Sequence, residues 1–143
     1  MDKFWLMKKV FITLLLLMVG WVALPAQTVQ DKDYRTMGYV KSDGTIQDKN
    51  YRTVGHIRQD GTVQDGNYRT VGHIKQDGTI QDGNYRTVGH VRSDGTIQDS
   101  NYRTIGHIKQ DGTVQDSNYR TVGYAKGVDA NQAAVLFFFD MLK

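Results

Sequence analysis

Hydrophobic and polar residues alternate along most of the chain, and the alternation recurs every 17 residues. A representative copy runs from Tyr68 to Asn84 and reads YRTVGHIKQDGTIQDGN. Counted from Thr28, six copies fill residues 28–129 without a gap. Short runs of period two, separated by turn residues at regular spacing, predict an all-β repeat fold.

Each copy contains an Asp-Gly turn, for example Asp77-Gly78. A two-residue turn would place the flanking aliphatics Ile74 and Ile80 on opposite faces of the hairpin. A type I turn closed by a glycine bulge instead pairs the two residues on one face. We therefore predict the bulged, three-residue loop.

A second turn centres on Gly83-Asn84, where asparagine tolerates a left-handed backbone. Pairing Asp82 with Tyr85 across this turn predicts that Ile80 lies opposite Thr87. Both turns then agree on one apolar face.

The resulting prediction is a half-buried antiparallel meander. The predicted inner face carries Tyr68, Thr70, Gly72, Ile74 and Ile80, and the predicted outer face carries Arg69, Val71, His73, Lys75, Thr79 and Gln81. The glycine leaves room for an aromatic ring to lie against the backbone. Val71 is the exception on the polar face: either the Arg and Lys stems shield it, or both faces are covered.

A single copy buries too little apolar surface to offset the entropy of ordering 17 residues, so the copies must stack or close. The chain begins and ends with complementary half-copies. Pairing the strand near residues 28–31 with residues 119–126 would close a ring of hairpins and remove the exposed edges. The alternative is an open solenoid capped at both ends.

The tail has a different pattern. Asp129 and Gln132 have the spacing of a capping box. Residues 130–142 then predict a helix, and its apolar face carries Val135, Phe138, Phe139 and Leu142. We predict that residues 130–143 form a helical cap over the β-structure. The alternative is a partner-binding patch made of the three consecutive phenylalanines.

The first 26 residues resemble a secretory signal peptide, with lysines at its start, an apolar run over residues 10–22 and Ala26 before the predicted cleavage. A retained membrane anchor is the alternative. We predict a cleaved signal, a secreted or periplasmic protein and no membrane span in the mature chain. The chain has no cysteine, so it is not a lipoprotein and has no disulfide framework.

Composition narrows the function further. All 15 acidic residues are aspartate, and most lie beside Gly or Asn, which is typical of turns. Without residues 1–26, the chain keeps 15 basic and 14 acidic residues, so we predict no nucleic-acid partner. No nucleophilic triad, phosphate loop or catalytic carboxylate pair is evident, which argues against an enzyme.

The recurrent Y-R-T-x-G-[HY]-[IV] strand, the S/Q-D-G turn and the T-[IV]-Q-D-x-N segment resemble the small secreted bacterial β-flower proteins, in particular the five-fold type. The resemblance covers residues 28 to about 126. It implies short hairpins arranged as petals about an axis, and no established activity. The sequence departs from five-fold symmetry, since five Asp-Gly hairpins are complete and a sixth is split between the chain ends.

One column of the repeat is histidine. Four imidazoles gathered on an axis could ligate zinc, copper or nickel. Duplication alone also produces such a column, and no carboxylate accompanies it. We therefore predict no metal site and no cofactor.

A column of arginines gives a second candidate surface. It could bind an acidic glycan or a protein partner. Alternatively, the turn aspartate of an adjoining petal neutralises each arginine, and the column serves only solubility. The candidate ligand-binding residues are Arg35, Arg52, Arg69, Arg86, Arg103, Arg120, His56, His73, His90 and His107. We predict an exported, non-enzymatic structural or protein-interaction module. The alternative is a multivalent carbohydrate-binding module. The partner, protein or glycan, and the oligomeric state are left open.

Overall fold

The computed structural model describes residues 25–142. The predicted signal peptide lies outside the described residues except for Pro25 and Ala26. The described part contains twelve short strands and one helix, α1 (Ala130–Phe137). The strands are β1 (Gln27–Asp31), β2 (Thr36–Val40), β3 (Thr45–Asp48), β4 (Thr53–Ile57), β5 (Thr62–Asp65), β6 (Thr70–Ile74), β7 (Thr79–Asp82), β8 (Thr87–Val91), β9 (Thr96–Asp99), β10 (Thr104–Ile108), β11 (Thr113–Asp116) and β12 (Thr121–Tyr124).

The twelve antiparallel strands close into a ring. At the seam, β1 pairs with both β2 and β12, and Gln30 lies opposite Tyr124. The closed meander of short hairpins is therefore confirmed over the open solenoid. Six hairpins turn at the Asn-Tyr position and five at Asp-Gly, and the split sixth Asp-Gly hairpin is completed by the two ends of the chain.

The Asp-Gly turns adopt the predicted bulged loop. The amide of Gly78 donates to the carbonyl of Lys75 at 3.0 Å, and the amide of Lys75 donates to the carbonyl of Thr79 at 2.9 Å. Ile74 lies opposite Ile80, as predicted. Gly78 has a φ of 87°, and a β-carbon there would collide with the Val91 carbonyl of the next strand, so only glycine fits.

The Asn-Tyr turns have the same bulged geometry. The predicted pairing of Asp82 with Tyr85 and the predicted left-handed asparagine were therefore wrong. The amide of Tyr85 donates to the carbonyl of Asp82 at 3.1 Å, and the amide of Asp82 donates to the carbonyl of Arg86 at 2.9 Å. The left-handed residue is Tyr85, with a φ of 64°, and not Asn84. The same holds for the equivalent tyrosine in all six copies, at φ values of 62–64°.

The pairing beyond this turn also differs from the prediction. Ile80 lies opposite Gly89, and Thr87 lies opposite Gln81, with a register shift between them. Val88 is the extra residue on β8, so the alternation of faces reverses there.

This bulge corrects the predicted faces. The six repeat tyrosines point outward and are 64–69% exposed, and Thr70 is exposed as well. Gly72 and Ile80 are buried as predicted, and Ile74 is half-buried. Val71 is half-buried and packs against the core, because the bulge turns this position away from the polar face.

The tail fills the inside of the ring. Asp129 caps α1 by accepting hydrogen bonds from the amides of Asn131 and Gln132. The helix ends at Phe137, earlier than the predicted residue 142, and the remaining tail continues along the glycines of the strands. Among the described residues, no helix has the length and apolar character to cross a bilayer.

Five inward-facing glycines each contact one tail side chain so closely that a β-carbon on the glycine would collide with it. Three of these side chains are phenylalanine rings, which confirms that the strand glycine makes room for an aromatic ring. The pairs are Phe137 with Gly123, Phe138 with Gly106, Phe139 with Gly89, Met141 with Gly72, and Leu142 with Gly55.

Candidate functional site

Six pairs of stacked aromatic rings line the outside of the ring, and we call them the aromatic belt. Each belt pair joins a ring on one strand to the left-handed tyrosine two strands further on, with centroids 4.3–4.7 Å apart and planes within 12°. The pairs are Tyr34 with Tyr124, Tyr39 with Tyr51, His56 with Tyr68, His73 with Tyr85, His90 with Tyr102, and His107 with Tyr119.

The left-handed backbone positions each tyrosine for this stack. His73 lies on β6 opposite Gln81 of β7, and Tyr85 closes the turn between β7 and β8. The phenol ring therefore reaches back across β7 to cover the imidazole. Such an offset-stacked aromatic pair adds about 0.5–1.5 kcal/mol beyond its buried area.

The four histidines are half-buried beneath the tyrosines. The Nε2 atoms of His56, His73 and His90 are shielded from solvent and have no hydrogen-bond partner in the structure. Each imidazole stacks on a different tyrosine, and no group of three or more potential metal ligands occurs within residues 25–142. The structure does not gather the histidine column at one point.

Tyrosine replaces histidine at the two belt positions beside the seam. The hydroxyls of Tyr39 and Tyr51 lie 3.2 Å apart, and this hydrogen bond raises the pKa of Tyr39. A side-chain hydrogen bond with Tyr34 likewise raises the pKa of Tyr124. The Tyr34–Tyr124 stack bridges β1, and so it joins the two ends of the repeat region.

The arginine column lies next to the belt, because each arginine directly follows a left-handed tyrosine in the sequence. Four of the arginines pair with the aspartate four residues earlier, with N–O distances of 2.9–3.3 Å, yet their side chains remain 74–76% exposed. These four are Arg52, Arg69, Arg86 and Arg103.

The partner of each of these arginines belongs to its own turn. Each of these aspartates ends one Asp-Gly hairpin, and its arginine leads into the next. In the first copy, the Nη2 atom of Arg35 lies 3.9 Å from a carboxylate oxygen of Asp33. In the last copy, the amide of Arg120 donates to the Asp116 carboxylate at 3.0 Å.

The turn aspartates act as backbone caps. Asp77 accepts a hydrogen bond from the amide of Thr79 at 2.9 Å, and Asp82 accepts from the amides of Asn84 and Arg86 at 2.8 and 3.0 Å. These backbone hydrogen bonds are the main cause of a pKa below the usual aspartate value. The pKa is lowered at Asp43, Asp48, Asp60, Asp65, Asp77, Asp82, Asp94, Asp99 and Asp111.

A cavity of about 250 Å³, which the sequence reasoning missed, lies beside Gly38. Its lining includes Val29, Ile46 and Val54 from the strands and Leu142 from the tail. The cavity follows from a difference in number. The repeat supplies six inward glycines, whereas the tail contributes only five side chains that pack against them. A second groove, of about 440 Å³, runs beside Phe138 and Met141.

Comparison with known proteins identifies one family. The sequence profile of the family described as a 5-fold beta-flower protein matches residues 26–141. No curated protein and no solved structure matches the chain. The match spans the twelve strands and nearly all of the tail.

Proposed function

Because the chain belongs to the 5-fold beta-flower family, we propose that this structural repeat protein is an exported, non-enzymatic module that binds a protein partner through its aromatic belt. The observation that carries the proposal is the outward position of the six tyrosines, each beside an arginine. Tyr and Arg are among the residues that contribute most to protein-protein binding energy.

The repetition suits multivalent binding. Neighbouring belt pairs have nearly the same stacking distance and angle, so a partner with repeated features meets the same surface several times. Linked weak contacts of this kind gain avidity by about 10²–10⁴ without any new type of contact.

The binding proposal is tested with the mature chain, residues 27–143, immobilised and exposed to cell-envelope protein. We expect a specific partner to be retained by the wild type and lost when the six arginines beside the belt are replaced by alanine. The matched control replaces the six cations at the repeat position that precedes the Asp-Gly turn: Lys41, Arg58, Lys75, Arg92, Lys109 and Lys126. Equal loss in both variants would indicate nonspecific charge attraction and contradict the proposal.

A carbohydrate partner is the second candidate, and the exposure of the tyrosine rings favours it, since an aromatic face can stack on a sugar ring. A glycan array on the same two variants separates the candidates. Specific glycan binding that is lost in the arginine variant and kept in the control, together with no retained protein, would replace the protein-interaction proposal by the carbohydrate one.

Export is supported by the position of the first strand. β1 begins at Gln27, directly after the predicted cleavage site, so a cleaved chain keeps every strand of the ring. Residues 1–26 fused to a leaderless alkaline phosphatase should give an active enzyme outside the cytoplasm, and Leu15→Arg should abolish this activity. An inactive wild-type fusion would contradict export, and an active but membrane-retained, uncleaved fusion would favour the anchor.

A further inference from the structure

The six repeats are not equivalent on the inside of the ring. Each of the glycines at 55, 72, 89, 106 and 123 lies against a side chain of the tail, whereas the three atoms nearest to a β-carbon on Gly38 belong to the strand backbone of residues 47 and 48. We call the space above each inward glycine a station. Five stations are filled by the tail, and the Gly38 station is the exception among the described residues.

A second observation at a different residue supports this difference. Val54, Val71, Val88, Ile105 and Val122 occupy the same repeat position, and all five are half-buried against the core. The equivalent residue in the first copy, Met37, is 50% exposed. The first copy is therefore less protected from solvent at this position than the other five.

The resulting cavity is mainly apolar, partly open to solvent and of molecular size, and Gln47, Asp48 and Asp140 also belong to its lining. Val29 and Ile46 form its buried wall, and Phe137 and Leu142 form the side contributed by the tail. Its volume of about 250 Å³ exceeds that of an engineered apolar cavity of about 150 Å³ that binds benzene. One aromatic ring with a short substituent fits this volume.

We propose that the Gly38 station is a binding site for a small, neutral molecule that carries one aromatic ring or a branched aliphatic group. The chemistry of the occupant follows from the five filled stations, which take three phenylalanines, a methionine and a leucine. The wall of the Gly38 station consists of the same strand positions as the others, so it should accept the same class of group. This site lies inside the ring and does not depend on the aromatic belt.

The test uses toluene as the probe and the ¹⁵N-labelled mature chain. We expect saturable amide shifts at Gly38 and Val54 and none at Gly89, whose station is filled by Phe139. The absence of saturable shifts at Gly38 would overturn the proposal. So would shifts produced only by a phenylalanine-containing peptide and not by toluene, because the site would then recognise a polypeptide.

Two variants sharpen the result. Met37→Trp places a large ring beside the open station and should weaken toluene binding by about tenfold or more while the protein stays folded. Met141→Ala empties the station at Gly72 and should create a second toluene site there. Unchanged toluene affinity in Met37→Trp, or no new shifts near Gly72 in a folded Met141→Ala protein, would contradict the equivalence of the stations.

Lys143 follows the tail and lies outside the described residues. A chain ending at Leu142 should bind toluene at the Gly38 station as the full chain does. Binding that is seen only after Lys143 is removed would overturn the proposal for the natural chain.

Discussion

The two turns of each repeat have the same backbone geometry, but different residues occupy the left-handed position: glycine in one turn and tyrosine in the other. Both are type I turns closed by a left-handed residue, with matching hydrogen bonds of 2.9–3.1 Å around Gly78 and around Tyr85. Glycine adopts this conformation without steric cost, whereas a tyrosine is strained there by about 1–3 kcal/mol. The difference shows that a turn can tolerate strain when the strained side chain stacks on a neighbour.

The packing around each turn explains the choice. A β-carbon at Gly78 would meet the carbonyl of Val91, so no other residue fits. Tyr85 has open space on its outer side and His73 beneath its ring, at a centroid distance of 4.3 Å. Steric exclusion of every side chain thus determines the residue at the Asp-Gly turn, whereas an attractive ring contact determines the residue at the Asn-Tyr turn.

The largest effect should come from breaking the glycine turn. Gly78→Ala combines left-handed strain with a collision against the Val91 carbonyl, and we expect a loss of about 3 kcal/mol or more in the free energy of unfolding. The measurement is urea unfolding. Gly83→Ser is the matched control, because other copies already carry serine at this position and the expected change is within about 0.5 kcal/mol. Equal losses in the two variants would contradict the distinction.

Acid should weaken both turns together. Backbone hydrogen bonds lower the folded-state pKa of nine turn aspartates, so near their ordinary pKa of 3.8 the unfolded chain binds more protons than the folded one. Stability should therefore be at its full value at neutral pH and fall progressively below pH 4, as the pH drops through the lowered folded pKa values.

Urea midpoints between pH 7 and pH 2 measure this acid effect. Asp77→Asn removes one titrating group and should make the decline slightly less steep than in the wild type. A midpoint independent of pH would show that the aspartate caps contribute no linkage.

The third effect isolates the stack between Tyr85 and His73. Tyr85→Ala keeps a strained backbone and loses the ring, whereas Tyr85→Gly loses the ring and removes the strain. Tyr85→Gly should therefore be more stable than Tyr85→Ala by about 1 kcal/mol. A double-mutant cycle of Tyr85→Ala with His73→Ala should give a coupling of about 0.5–1.5 kcal/mol, measured by chemical unfolding. A coupling of zero would mean that the stack does not offset the strain.

The smallest effect concerns the ion pair beside the same turn. Arg86 donates to Asp82 from its Nε at 3.1 Å, but its side chain is 74% exposed. Arg86→Ala should change the unfolding free energy by less than about 0.5 kcal/mol, because exposed ion pairs contribute little. A thermal shift of the same size as for His73→Ala would assign the arginine a structural role that the geometry does not support.

The same contrast explains how much of the fold the sequence could predict. Asp-Gly specifies its turn through glycine, so the pairing of Ile74 with Ile80 and the closure of the ring were predicted correctly. Gly83-Asn84 offered two familiar left-handed residues, and the stacking contact that favours Tyr85 is made two strands away. A rule based on neighbouring residues could not detect that contact. The predicted register was therefore wrong, and it placed the tyrosines on the inner face.

The candidate site was affected in the same way. The histidine and arginine columns are visible in the repeat, but the partner of each imidazole is a tyrosine twelve residues later in the chain. That pairing needs the bulge at Val88, and no residue type in the copy predicts a bulge at this position. The fit of the tail to the glycines needed the closed ring first, so its one missing contact could not be located from the sequence.

The fit between tail and ring has a consequence for evolution. Near-identical copies in tandem favour slippage during replication, which would change the circumference of the ring by whole petals. The tail does not change with it, and its five inward side chains act as a gauge for a fixed number of glycines. A petal gained would leave a second gap in the interior, and the loss of one petal would match five glycines to the five tail side chains. Only a further loss would crowd the tail, so the last few residues limit which copy numbers are compatible with a filled ring.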